Sequence, residues 1–159
     1  MIKTMADDSI VRVLVVEDHL PFRRFISTAL NKKRNLQIIC EVSDGLEAIQ
    51  KAVQLKPDMI LLDIGLPTLN GIEVARQIRR VVPQSKIIFL TTEFDAAVVQ
   101  QAATLAASGY VVKAMAGVDL LTAVEAVISG RHFASGSLGE HFRLDASHVP
   151  GLYVTPAVS

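Results

Sequence analysis

Five short, almost wholly apolar runs alternate along this chain with five segments of helical period, and that alternation restricts the possible folds more than any other feature. The runs are Ile10 to Val16, Leu36 to Val42, Met59 to Asp63, Lys86 to Leu90 and Tyr110 to Val112. Runs of this length, bounded by turn signals, read as strands, and Met59 to Asp63 as one buried on both faces. Between the first two, Phe22, Phe25, Ile26, Ala29 and Leu30 recur at helical spacing and are expected to face the core, with Pro21 suited to the first turn. Asp44 and Glu47 stand three apart, as in a capping box, and open a second helix that stops at Lys56-Pro57. Asn70-Gly71 precedes a third helix whose apolar side is Ile72, Val74, Ala75, Ile78 and Val81. A fourth is predicted from about Asp95 to Ala107 and a fifth from about Val118 to Ser129. Strand and helix in strict alternation imply a parallel sheet covered on both faces, wound by right-handed crossovers.

Composition narrows the function classes. Half of the 159 residues are hydrophobic and a fifth are charged, which excludes disorder for most of the chain. Lysine plus arginine equals aspartate plus glutamate at 16 each, so the basic footprint of a nucleic-acid binder is missing. The single cysteine, Cys40, sits in an apolar run, reads as a core residue and allows no internal disulfide. The first residues lack a signal-peptide pattern, and no apolar run is long enough to span a bilayer. A soluble, cytoplasmic domain without membrane contact is expected.

Open α/β sheets bind ligands beyond the carboxyl ends of their strands. In this chain those ends would gather Glu17, Asp18, Asp63, Thr91 and Lys113 along one rim. Asp63 alone could do no more than cap the turn at Gly65 and Pro67; the convergence argues otherwise. Three carboxylates repel unless a hard cation joins them, and Mg2+ suits one or two carboxylates plus water and phosphate oxygens. A carboxylate is a competent nucleophile toward phosphorus when metal withdraws charge from the phosphoryl oxygens. Lys113 could neutralise one such oxygen, and the Thr91 hydroxyl could donate to another.

These residues resemble a response-regulator receiver domain over roughly Ile10 to Arg131. The pattern is Glu17-Asp18, Asp63 with Leu66-Pro67 and Asn70-Gly71, Leu90-Thr91, and Gly109-Tyr110-Val111-Val112-Lys113. The resemblance implies a doubly wound five-stranded parallel sheet, flavodoxin-like in order 2-1-3-4-5, with five helices. It implies that Asp63 is the phosphoacceptor and that Glu17, Asp18 (the more direct ligand), Asp63 and the Gly65 carbonyl hold Mg2+. Thr91 and Lys113 would stabilise the phosphate, Thr91 and Tyr110 would switch, and Glu93 would tune the lifetime of the phosphoryl group. The partners implied are a sensor histidine kinase and, through the face of the last two helices and the strand between them, an output protein or a second copy. The protein would be a phosphoryl acceptor rather than a turnover enzyme.

Ala114 follows Lys113 where many receivers have proline, which resembles NarL-type regulators and leaves that loop open. Residues 1–9 are expected to be flexible and 10–131 to form the receiver. Residues 132–159 read as an irregular or loosely docked tail, with too short an apolar period for a DNA-binding helix-turn-helix domain. Direct contact with nucleic acid by this chain is therefore not expected. The alternatives are a receiver fragment of a DNA-binding regulator, or a receiver acting by protein contacts without phosphorylation. A haloacid-dehalogenase-like phosphohydrolase would need a general acid where Gly65 stands, and a nucleotide-binding sheet would need a glycine-rich loop where Glu17-Asp18 stand. From Ala96 to Ser108 no residue is charged, which suggests a contact surface on the fourth helix. His132, His141 and His148 fit no helical metal spacing and read as ordinary surface residues, and His19 as a residue shaping the loop after the acid pair.

Overall fold

The computed structural model describes residues 9–92, 96–135 and 152–154. The strands are β1 (Val11–Val16), β2 (Leu36–Val42), β3 (Met59–Asp63), β4 (Lys86–Thr91) and β5 (Gly109–Val112). The helices are α1 (Leu20–Leu30), α2 (Gly45–Leu55), α3 (Gly71–Val81), α4 (Ala96–Thr104) and α5 (Ala116–Ile128). Two short strands follow, β6 (His132–Ala134) and β7 (Leu152–Val154). All pairings are parallel, in the order β2-β1-β3-β4-β5-β6-β7. The expected order 2-1-3-4-5 is present, and the sheet continues past it by two strands. His132 to Ala134 is therefore regular structure, where an irregular segment was expected. His141 and His148 lie outside the described residues.

Side-chain alternation along the strands divides the core into two layers. Leu14, Val16, Ile60, Leu62, Ile87 and Phe89 point to one side, against Ala48, Val74 and Ile78 of α2 and α3. Val13, Val15, Met59, Leu61, Ile88 and Leu90 point to the other, against Ile26 and Leu30 of α1 and Leu120 and Val124 of α5. Every residue of β3 is buried. Strands sealed on both faces leave their carboxyl ends as the place where polar groups collect.

Local signals act as their chemistry dictates. Asp44 caps α2 by accepting from the Leu46 and Glu47 N–H groups, and Lys56 ends the helix in a left-handed conformation before Pro57. Asn70 caps α3 by accepting from Glu73 N. Two helical positions differ from expectation. Phe25 is exposed and lies tilted against Phe22 with centroids 5.6 Å apart, because the core stripe of α1 is filled by Ile26, Ala29 and Leu30. Val81 is also exposed; Val82, the turn residue beyond it, fills the core instead.

Arg79 ties the far end of the sheet together. Its guanidinium donates to the carbonyls of Leu105, Pro83, Ser85 and Ala106, joining α3 to the start of β4 and the turn after α4. Burial lowers its pKa from the ordinary value, which is the cost of holding that charge among carbonyls. Arg79→Met should lower stability by about 2 kcal/mol, since four acceptors lose one donor group. A urea midpoint equal to wild type would refute this.

Candidate functional site

The sheet register delivers the rim residues to one another. Val16 pairs with Leu62, so Glu17 leaves β1 beside Asp63 at the end of β3. Leu90 pairs with Asp63, and Thr91 with Val112, so Thr91 ends β4 between Asp63 and the residue that precedes Lys113. Glu17, Asp18 and Asp63 each offer a carboxylate oxygen within 4.8 Å of the others. Glu17 and Asp63 are buried and Asp18 is exposed. Glu93 lies outside the described residues.

Lys113 closes the cluster. Its Nζ stands 2.6 Å from Glu17 Oε1 and 3.3 Å from Asp63 Oδ2, with only 13% of the side chain exposed. Phe22 takes the Lys113 ammonium over its ring, 5.0 Å from the centroid, an attraction between cation and aromatic face. The spacing of Phe22 on α1 marks it as a core residue, and packing gives it this second contact. Backbone donors complete the acids: His19 N donates to Glu17 Oε2 at 3.0 Å and Gly65 N to Asp63 Oδ1 at 2.9 Å. The loop that carries Asp63 into α3 is held by Ile64 N on Leu90 O and Gly71 N on Ile64 O.

Three acids against one lysine leave an excess of negative charge. Burial pushes the Glu17 carboxyl up to about 7, against the opposing pull of Lys113 and His19 N, with the Asp63 charge adding to the rise. A proton therefore does part of the work that a cation would do. An all-oxygen, carboxylate donor set of this kind fits a hard divalent ion such as Mg2+.

Tyr110 lies inside, 1% exposed, stacked on Phe89 with centroids 5.8 Å apart, and burial raises its phenol pKa. After Lys113 the chain makes one 3-10 turn, Lys113–Met115, directly into α5. The loop left open by Ala114 is thus a compact helical entry.

The family model for the response regulator receiver domain matches residues 13–125. The chain belongs to the response-regulator receiver family. Among curated relatives, the receiver is 33% identical over 120 residues to the transcriptional regulatory protein LnrK of Bacillus subtilis, covering 76% of this chain and 54% of that protein. It is equally similar to the response regulator protein VraR of Staphylococcus aureus, covering 57% of that protein. The chain thus spans about half the length of the curated relatives it matches. Among solved structures, a LuxR-family two-component response regulator from Aurantimonas superposes with a TM-score of 0.79 at 27% identity, over 88% of this chain and all of that one. The receiver domain of the putative response regulator NarL from Mycobacterium tuberculosis gives 0.72 at 28% identity, over 77% of this chain and 99% of that one. The expected resemblance to NarL-type receivers is borne out. No helix among the described residues of the receiver is long and apolar enough to cross a membrane.

The structure brings Glu17, Asp18, Asp63 and Lys113 together as the sequence pattern suggested. It also shows what that pattern did not: the edge of β5 carries β6, and Ser135, just after β6, is buried together with Asp119 of α5. The signal available was weak, a single serine after the short segment His132-Phe133-Ala134.

Proposed function

We propose that this receiver accepts a phosphoryl group on Asp63 from the phosphohistidine of a sensor histidine kinase and acts as a switch in a two-component system. The observation that carries the reading is the meeting of Lys113 with both Glu17 and Asp63 at the strand-end rim. In the transfer, the Asp63 carboxylate oxygen forms the new P–O bond while the P–N bond to the donor histidine breaks, its electron pair returning to the imidazole. Lys113 moves from its carboxylate partners toward a phosphoryl oxygen, keeping its charge in the pocket, and the Thr91 hydroxyl donates to another oxygen. Glu17, Asp18, Asp63 and the Gly65 carbonyl would hold Mg2+, which supplies charge withdrawal from the phosphoryl oxygens. The protein is consumed and regenerated as an acceptor rather than turning over a substrate pool, and Glu93 tunes how long the acyl phosphate survives.

Phosphorylation adds about −1.5 to −2 charges at Asp63. Thr91 then draws inward and Tyr110 follows, shifting an equilibrium between two packings of α4 and β5. The surface read by an output protein or a second copy is the α4-β5-α5 face, with the uncharged α4 as its contact helix; β6 on the β5 edge forms part of that face. A cytoplasmic location agrees with a kinase donor and with a lone, unpaired Cys40. The name of LnrK, a transcriptional regulatory protein, favours control of transcription as the output.

Intact mass after incubation with acetyl phosphate and Mg2+ tests the reading. Wild type should gain one phosphoryl group, and Asp63→Asn should gain none, nor should wild type without Mg2+. An unchanged mass of the folded wild type would overturn it.

A further inference from the structure

Lys113 has to stand within a few tenths of an ångström of its working position to serve a phosphoryl oxygen. Part of what holds the strand leading to it lies outside the five-stranded unit. The β5 strand ends at Val112, and β6 pairs only with Gly109 and Tyr110, through Phe133 and Ala134. Beyond that point the ladder is continued by Ser135. Its N–H donates to Tyr110 O at 3.0 Å, and its Oγ accepts from Val112 N at 3.2 Å. The same hydroxyl donates to Asp119 Oδ2 at 2.8 Å, in the first turn of α5.

Both side chains in this set of bonds are buried. Ser135 is fully buried and Asp119 is 1% exposed. Phe133 is fully buried against the α5 side of the sheet, while Ala134 packs in the layer that contains Tyr110 and Phe89. Alternation along the strand thus sends Ser135 to the α5 side, where Asp119 lies. A carboxylate near a helix N-terminus is favourably placed, and its bond to a hydroxyl is charge-assisted. The Ser135 hydroxyl meets both the last N–H of β5 and the first turn of α5, so it spans the 3-10 turn that begins with Lys113.

We propose that Ser135 and Asp119 are positioning residues for Lys113, so that the rim site is complete only when the segment after α5 is docked as β6. Without the Ser135 hydroxyl, the Val112 N–H and the Asp119 carboxylate both lose a buried partner, and the β5-α5 junction relaxes to rehydrate them. Lys113 then loses register with Glu17 and Asp63. The segment from Arg131 to Ser135 is in this way coupled to the site. The functional consequence rests on the phosphoryl-acceptor reading; the positional one does not.

The test uses the full chain as wild type, Ser135→Ala, Ser135→Thr and Asp119→Asn, each confirmed folded by circular dichroism at the working temperature. The first readout is the 15N–1H signal of the Lys113 ammonium, assigned with Lys113→Arg, whose protons exchange slowly while held by two carboxylates. Ser135→Ala should broaden or abolish it, and Ser135→Thr should restore it. The second is the initial rate of labelling by acetyl phosphate, expected to fall about tenfold in Ser135→Ala with Mg2+ affinity unchanged. Asp119→Asn should shift both readouts in the same direction by less. A folded Ser135→Ala protein with the wild-type Lys113 signal would overturn the proposal. If wild type is never labelled yet its Lys113 signal depends on Ser135, the phosphoryl-acceptor reading falls and the positioning role stands.

Discussion

Gly71→Ala should cost this receiver roughly 3 kcal/mol or more and displace its central aspartate. Gly71 opens α3, and its N–H donates to Ile64 O at 2.8 Å, folding the turn after β3 tightly back. A Cβ there would lie 2.2 Å from Asp63 O, 2.7 Å from Ile64 Cα and 2.9 Å from Asp63 C. All three are backbone atoms, so no side-chain rotation relieves the contact. Either α3 backs away from the sheet, opening the layer filled by Ile72, Val74 and Ile78, or the end of β3 shifts and takes Asp63 with it. Gly65→Ala is the control in the same loop. Its Cβ would meet only Asp63 Oδ1, at an ordinary 3.7 Å, and its stability should stay within about 0.5 kcal/mol of wild type. Urea unfolding decides the matter: a lowered midpoint with unchanged slope for Gly71→Ala alone is the expected result. Equal midpoints for the two variants would show that the turn yields more easily than its geometry implies.

In the absence of a divalent cation, stability should fall as pH rises from about 4.5 to about 7. The cause is Glu17, whose carboxyl burial raises from 4.5 to about 7. Within that window the folded protein holds a proton that the unfolded chain has released, so each increase in pH favours unfolding. The contribution is fully present below the unfolded value and gone above the folded one. Its size is on the order of 3 kcal/mol, the opposing pull of Lys113 at 2.6 Å being already part of the shift. Mg2+ should reverse the trend, since it binds the ionised cluster and competes with the proton. Its stabilising effect should be large at pH 8 and nearly absent at pH 5. Glu17→Gln cannot ionise, so its midpoint should lack this component of the pH slope and respond less to Mg2+. Parallel pH profiles for wild type and Glu17→Gln would show that the slope originates elsewhere.

Much of the candidate site was legible because rim residues follow their strands directly. A carboxylate placed immediately after Val16 or at the end of Met59–Asp63 has nowhere to go but the carboxyl edge, and parallel pairing brings those edges together. The pairing of Lys113 with Glu17 as its nearer partner was not legible, since both acids lie at the rim and only burial separates their claims. The seat of Phe22 under the ammonium was hidden for a similar reason: its spacing on α1 marks it as apolar but does not say which neighbour its face meets.

The sequence by itself determined the kind and order of the elements, because hydrophobic period and turn chemistry are local properties that each segment carries alone. It did not determine which strand face meets which layer, because a run apolar throughout carries no alternation that would choose one. Only the tertiary structure decided that the sheet runs on through β6, and that Ser135 meets Asp119 and the last N–H of β5. A three-residue strand has too short a period to announce itself. An aspartate in the first turn of α5 and a serine beyond its far end become neighbours only after that helix has packed and returned the chain to the sheet edge.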